Sequence, residues 1–516
     1  MNKQWKKLGV LISLIALLFL SACGNGGGNS AANGSGGSGK NILTVAQNAD
    51  AVTLDPHKTN DSASANPMQQ VYNTLVDLTP DMEVAPSLAE SWEQVDDLTW
   101  EFKLRQGVKF HNGEELKASD VKFTYDRLLD PATAAPGSFL LADVSEVKVI
   151  DDYTVQIISK EPFAPLVYNL THVATSILNE KAVTEAGEKY NQQPVGTGPF
   201  KFVSWEKSSK ITFERYDDYF EGPASLEQIV FRIIPESGTA VAELKTGGID
   251  MMLQLPSQHI SQFKNSDTVE VNKVPSFQVK YLSFNMQEAP FDNPLVRQAI
   301  NYATNKDAII KAAYQGTAVT ATSPLAPGLN GYNDQLEGYS YDVEKAKELL
   351  AEAGMPDGFD STLYISDADI DTKIGTILQS QLKEVGINLE LKVMEWGAFL
   401  DETANGVPMF VLSWTTVTGD ADNGMYALFH SKNAGGPGNR SFYKNEEVDT
   451  LLDQGRAETD AAKREDYYKQ AQETIVDDAA WDFLAVSENI VGVNKRVKGF
   501  ENMPTTTYKF YSVTLE

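Results

Sequence analysis

The run from Leu363 to Val393 constrains the architecture more than any other stretch of this chain. Leu363 to Ile365 read as a strand, while Ile374, Ile377, Leu378 and Val385 recur at helical spacing. Gly386 then stops the helix, and Ile387, Leu389, Leu391 and Val393 alternate as a second strand. Two parallel strands cannot be joined by a tight turn, so strand, helix and strand in this order predict a βαβ crossover. Neighbouring segments agree. Asn293 and Pro294 fit an N-cap and first-turn pair ahead of Val296, Ile300 and Ala303. Asp342 opens another helix, striped by Ala346, Leu349, Leu350 and Ala353 and stopped by Gly354 and Pro356. The second half of the chain is therefore α/β.

The first third has a different period. Trp100, Phe102 and Leu104, then Val108 and Phe110, then Tyr153, Val155 and Ile157 alternate as strands do. Between them Ser119 is expected to cap a helix in which Val121, Tyr125 and Leu128 share a face. Strands at Ile211 to Phe213 and Ile229 to Ile233 follow. A β-rich part followed by an α/β part leaves a cleft between them as the natural ligand site. Nearly 480 residues after the amino-terminal region exceed the usual size of a single core, so two or more lobes are expected.

The amino terminus predicts the compartment. Lys3, Lys6 and Lys7 precede the apolar run Leu8 to Leu20, and small residues lead to Cys23, the pattern of an export signal. The run falls short of the roughly 20 residues that span a bilayer. Cys23 is the only cysteine in 516 residues, so no disulfide staples this chain. Leu20-Ser21-Ala22-Cys23 resembles the bacterial lipoprotein lipobox, which implies a lipid on Cys23 and a tether to the extracytoplasmic face of the cell membrane. Gly24 to Gly39 is almost wholly Gly, Asn, Ser and Ala, a flexible linker with a reach of about 20 Å. Its chance match to G-x-G-x-x-G lacks the strand and helix that nucleotide binding requires.

Charge and side-chain inventory exclude several classes. A net charge of -28 disfavours nucleic acid as a partner. The five histidines, His57, His111, His172, His259 and His430, show no H-E-x-x-H spacing, and no G-x-S-x-G occurs, so nothing points to an enzyme. Histidines this scattered do not predict a bare metal-ion site, and no cofactor is expected.

Four segments then carry a resemblance: Leu104 to Gly113, Ala118 to Tyr125, Val195 to Phe202 and Phe291 to Ile300. Together they resemble the extracytoplasmic solute-binding proteins of family 5, the peptide- and nickel-binding lipoproteins of ABC importers, from about Leu43 to Asp482. The resemblance implies an α/β, two-lobe periplasmic-binding-protein-like (class C) fold with an extra β-rich subdomain in lobe I. Residues 1–22 are then the signal peptide and 23–40 the lipidated cysteine and linker. Residues 41–75, 195–280 and 487–516 form lobe I, 76–194 its accessory subdomain and 281–486 lobe II. Crossings near Val279 to Phe284 and Leu484 to Val491 would act as the hinge. The implied partners are a small peptide, the permease subunits of the transporter and the membrane through Cys23, with the protein itself a monomer.

Polar residues crowd the end of the apolar strand Met409 to Leu412, in Trp414-Thr-Thr-Val-Thr-Gly-Asp-Ala-Asp-Asn423, and strand ends in α/β lobes are where ligands bind. Trp414, Thr416, Thr418, Asp420 and Asp422 are therefore candidate ligand-binding residues, although a surface loop with Trp414 in the core reads the same way. In the dipeptide and oligopeptide binders, an aspartate three residues after this tryptophan holds the peptide amino terminus; here that position is Val417. Dipeptide binders also place an arginine before the βαβ helix, where this chain has Ser366-Asp-Ala-Asp369. Thr418 to Asp422 instead resembles the branch associated with glutathione and related small peptides.

A glutathione-like guest offers one ammonium and two carboxylates. Asp420 or Asp422 suits the ammonium and Arg440 a carboxylate, bidentately, unless Arg440 pairs with a surface acid. Asn285, in Phe284-Asn-Met286, either hydrogen-bonds the ligand from the hinge or serves as a turn amide. Trp396 is expected in the core rather than stacked on a ligand, and Leu54-Asp55-Pro56-His57 either faces the cleft from the first loop of lobe I or is a common turn starter. The function implied is capture of small peptides, with a glutathione-like tripeptide favoured, for delivery to a permease. A dipeptide, oligopeptide or metal-chelate binder of the same fold, and a peptide receptor uncoupled from import, remain alternatives.

Overall fold

The structure, a computed structural model, describes residues 41–435 and 438–516; the expected export signal, Cys23 and the expected linker lie outside the described residues. Its frame is an eleven-stranded sheet. From one edge to the other the strands are Ile387–Met394, Phe359–Ser366, Met409–Thr415, Val269–Phe284, Trp481–Asn494, Met251–Met252, Ile42–Gln47, Gln228–Ile233, Lys210–Arg215 and Phe200–Glu206, and the short strand Ala318–Thr320 pairs with Trp481–Asn494.

The two longest strands carry the chain between the halves of this sheet. Val269 to Pro275 pair with Asn494 to Glu488 beside Met251–Met252, whereas Val279 to Ser283 pair with Val486 to Trp481 beside Met409–Thr415. The register shifts between Pro275 and Val279. There the Ser276 hydroxyl donates to the Ser487 carbonyl at 2.7 Å. A bulge of this kind bends a strand pair, and here it separates two lobes with their own buried cores.

In one lobe the expected crossover is present. Phe359–Ser366 and Ile387–Met394 pair in parallel, joined by helix Asp369–Lys383. Leu363, Ile365, Ile374, Leu378, Ile387 and Leu389 are buried in one cluster, since a helix laid across parallel strands buries the apolar stripe of each. Asn293 caps helix Pro294–Ala303 and Asp342 caps Val343–Glu352, as their sequence positions require. On the opposite face of the sheet, Tyr281 stacks on Trp481 with ring centroids 3.6 Å apart. In the other lobe Leu43, Val45, Phe213, Ile229 and Phe231 fill the core.

A separate four-stranded sheet, ordered Ala89–Asp96, Thr99–Leu104, Thr154–Ser159 and Val144–Asp151, packs against helix Ala118–Leu129. Phe102, Leu104, Val121, Tyr125, Leu128, Val155 and Ile157 are its core. Two local expectations need correction here. The cap of this helix is Lys117 rather than Ser119, because the Asp120 carboxylate accepts the Lys117 amide at 3.0 Å and closes the first turn from inside. Val108 and Phe110 are buried but lie outside the sheet, since the turn at Gly107 breaks the strand before them.

The four signature segments turn out to build the scaffold. Gly196 and Gly198 press on the end of helix Ser62–Val71, where a Cβ on Gly196 would fall 2.1 Å from the Val71 carbonyl oxygen. His111 ties into the same turn through its amide, 2.9 Å from the Gly196 oxygen, and its Nε2, 2.9 Å from the Gly198 oxygen. Arg297, buried, donates to the carbonyls of Phe291, Asp478 and Ala479 at 2.8, 2.7 and 3.1 Å. Asp55 follows the same rule: it is buried against Arg127, with oxygens 2.6 and 3.1 Å from the guanidinium.

Candidate functional site

Strand Met409–Thr415 runs antiparallel to Val269–Phe284, with Thr415 opposite Gln278 and Met409 opposite Phe284. The chain leaves the Thr415 end as a tight loop. The Thr416 amide donates to the Phe277 carbonyl at 3.1 Å, and Trp414 Nε1 donates to the Asn423 carbonyl at 2.9 Å. Asn423 Oδ1 accepts the Val417 amide at 3.2 Å, and the Thr418 hydroxyl accepts the Asp420 amide at 3.4 Å. Thr416 and Thr418 are wholly buried by this folding and Trp414 is half-buried.

Asp420 N-caps helix Ala421–Phe429 by accepting the Asp422 amide at 2.9 Å. Its oxygens also accept from both arms of Arg464, at 2.6 and 2.7 Å. Asp422 lies beside Arg456, 3.1 Å from Nε, and accepts the Tyr468 hydroxyl at 3.3 Å. Burial pushes the Asp422 carboxyl up to about 6, against the pull of Arg456. So the sequence-expected cluster Trp414, Thr416, Thr418, Asp420 and Asp422 does assemble, with both carboxylates engaged by arginines of the same lobe.

Val417, at the tip of this loop, reaches a partly open pocket with a cavity volume of about 130 Å³. The facing wall comes from the other lobe and from the small strand pair attached to it. Asn60, Ser62, Asn66 and Gln69 line it from the start of helix Ser62–Val71, Asp77 and Leu78 from the strand beside it, and Glu501, Thr505 to Thr507 and Lys509 from the carboxyl-terminal segment. Lys509 Nζ forms an ion pair with Asp77 Oδ1. Two carboxylates, one ammonium and a wall of amides and hydroxyls thus surround the space. Such a lining can hold opposite charges of a small polar guest at fixed positions.

Arg440 and Asn285 are not brought to this pocket. Arg440 is buried and donates to the Leu400 carbonyl at 2.5 Å and the Thr403 hydroxyl at 2.8 Å, at the end of helix Trp396–Ala404. The Asn285 amide donates to Pro408 O at 3.0 Å and its Oδ1 accepts the Gln287 amide at 3.1 Å. Asn285 therefore stands at the Met409 end of the strand, a distance on the order of 20 Å from its Thr415 end at about 3.3 Å per residue. Trp396, expected in the core, is 39% exposed: it is the first residue of its helix, with its ring stacked on Phe399.

Sequence reasoning missed Asp77, Glu501, Lys509, Arg456 and Arg464. Nothing local marks them: Asp77 and Lys509 are 432 positions apart and meet only in the folded chain. Among the described residues no cluster of His, Cys, Asp or Glu is arranged to hold a metal ion, and no helix is long and apolar enough to cross a membrane.

Comparison with known proteins agrees with this architecture. Residues 83–436 match the family described as bacterial extracellular solute-binding proteins, family 5 middle. The glutathione-binding protein GsiB of Pectobacterium atrosepticum is 35% identical over 483 residues, covering 91% of this chain and 93% of that protein. GsiB of Escherichia coli K12 is 33% identical over 486 residues, covering 92% and 94%. Among solved structures, the periplasmic binding protein DppA of Helicobacter pylori in complex with the peptide STSA superposes with a TM-score of 0.88 at 34% identity, covering 92% of this chain and 98% of its own. The chain belongs to family 5 of the bacterial extracellular solute-binding proteins.

Proposed function

We propose that this protein is the substrate-binding component of an ABC importer. It captures small peptides between its two lobes, a glutathione-like tripeptide in first place, and hands them to a membrane permease. The observation that carries this reading is the charge pattern of the pocket. Asp77 and Glu501 suit the ammonium of a zwitterionic guest, and Lys509 suits a carboxylate. The relatives support the same ligand class, since two are named for binding glutathione and a third was solved with a peptide.

The loop from Trp414 to Asn423 supplies the pocket wall of lobe II through Val417, with Asp420 and Asp422 fixing its shape. Residues 41–75, 195–280 and 487–516 act as lobe I, 76–194 as its accessory subdomain and 281–486 as lobe II. The protein works as a monomer without catalysis, tethered to the extracytoplasmic face through lipid on Cys23. Replacing Cys23 by Ala should release it into the medium in a fractionation experiment.

Closure follows from binding only if the guest prefers the shut state, because a ligand indifferent to both shifts nothing. Mass spectrometry of small molecules copurifying with the protein tests the ligand class. A tripeptide such as glutathione is the expected finding, and recovery of a metal chelate or turnover of added peptides would overturn it.

A further inference from the structure

Away from the pocket the lobes meet a second time, at Arg456. This residue lies near the end of helix Glu446–Ala457, with its Nε 3.1 Å from Asp422 Oδ1 and its guanidinium 3.6 Å from the centre of the Tyr426 ring. Asp422 and Tyr426 belong to the same lobe. The other contacts come from the four-stranded sheet and its surroundings. Arg456 Nη1 is 2.6 Å from Asp143 Oδ2, the guanidinium lies 4.5 Å from the Phe163 ring centre, and the Arg456 carbonyl accepts the Ala164 amide at 2.8 Å.

The two sides have separate cores. Val448, Leu451 and Leu452 of the Arg456 helix pack in one cluster, Leu141, Val144 and Phe163 in another, and the clusters share no residue. Between them a small cavity remains, whose walls include Phe139, Asn169, Asp422, Tyr426 and Arg456. Close-packed interiors leave few voids, and this one lies between the two clusters rather than inside either.

We propose that Arg456 is the latch of the closed state, and that Asp143 is its catch. Asp422 and Tyr426 hold the guanidinium in place in either state, so closing costs little further side-chain ordering. Only the Asp143 pair, the Phe163 stack and the Ala164 hydrogen bond are made on closure. None of these groups lines the peptide pocket. The latch therefore strengthens binding of every guest by the same factor and selects none, because it acts on the open–closed equilibrium rather than on ligand contacts.

This inference rests on the reading of the protein as a closing peptide receptor. The test uses Asp143→Asn, which removes the catch charge while leaving the Arg456–Asp422 pair intact, and Asp143→Glu, which restores a carboxylate. Calorimetry and stopped-flow release are measured with two peptides that bind the wild type, alongside single-molecule distances between dyes on the two lobes. Asp143→Asn is expected to weaken both peptides equally, by about 5-fold for a partly exposed ion pair, through faster release. The closed fraction falls, the melting temperature without ligand is unchanged, and Asp143→Glu recovers part of the affinity. If the wild type closes on peptide and Asp143→Asn binds, closes and releases identically, the latch is overturned while the receptor reading stands. If the wild type neither binds nor closes on any peptide, both are overturned.

Discussion

Arg464 holds Asp420 with both arms of its guanidinium, Nη1 2.6 Å from Oδ2 and Nη2 2.7 Å from Oδ1. The same carboxylate caps helix Ala421–Phe429, so one side chain fixes the start of the helix and the loop before it. Removing its charge strands a nearly buried guanidinium. Asp420→Asn is expected to lose about 3 kcal/mol of stability in urea unfolding, the usual range for breaking one side of a buried pair. A variant of full stability that no longer binds peptide would instead make Asp420 a direct ligand group.

Lys509 behaves oppositely. It is partly exposed, pairs with Asp77 at the edge of the pocket and supports no core. Lys509→Gln is expected to leave the melting temperature nearly unchanged and to weaken peptide binding about 10-fold or more, the scale of one charge-assisted hydrogen bond. Wild-type affinity in calorimetry would remove Lys509 from the site.

Gly196 is a steric position. A methyl group there would overlap the Val71 carbonyl at 2.1 Å and the Tyr72 ring at 2.7 Å, both part of the lobe that lines the pocket. Gly196→Ala is expected to cost at least about 3 kcal/mol in chemical denaturation, since the clash is with backbone that cannot step aside. Unaltered stability would show that this turn yields.

His57 is fully buried, and its carboxylate neighbour Asp55 cannot offset the loss of water. Burial, helped by Arg127 at 2.7 Å from Nδ1, pushes the imidazole down from 6.5 to about 3. A depressed histidine leaves its stability contribution intact above 6.5 and gives it up as pH falls, because the unfolded chain takes a proton that the native chain refuses. Between pH 7.5 and 5 this amounts to roughly 2 kcal/mol. His57→Asn, which keeps an acceptor for Arg127, is expected to be less stable at pH 7.5 and to approach the wild type by that amount at pH 5. A constant gap between the two in urea titrations would show that His57 titrates normally.

Local patterns carried the elements because each rests on neighbours in the chain. The crossover from Leu363 to Val393, the caps at Asn293 and Asp342 and the strands around Phe102 and Val155 follow from spacing alone. The cap at Lys117 did not, since a serine two residues on looks like the better cap until Asp120 is seen closing the turn. The site was legible only in part. The loop from Trp414 to Asn423 stood out because polar residues follow an apolar strand, and it does reach the pocket, through Val417. The arginines that engage its acids, and the opposite wall of Asp77, Glu501 and Lys509, are joined to it by tertiary contacts across hundreds of residues. Arg440 looked available because a lone arginine in a polar run says nothing of the Leu400 carbonyl that accepts from it.

Calorimetric titration with one tripeptide in two forms, free and blocked at both ends, tests the central reading most directly. The free peptide is expected to bind with one site per chain and the form acetylated and amidated at its ends to bind at least about 100-fold more weakly, as loss of two charge-assisted contacts requires. Equal affinity for the two forms, or no heat with either, would contradict a pocket built for opposite charges.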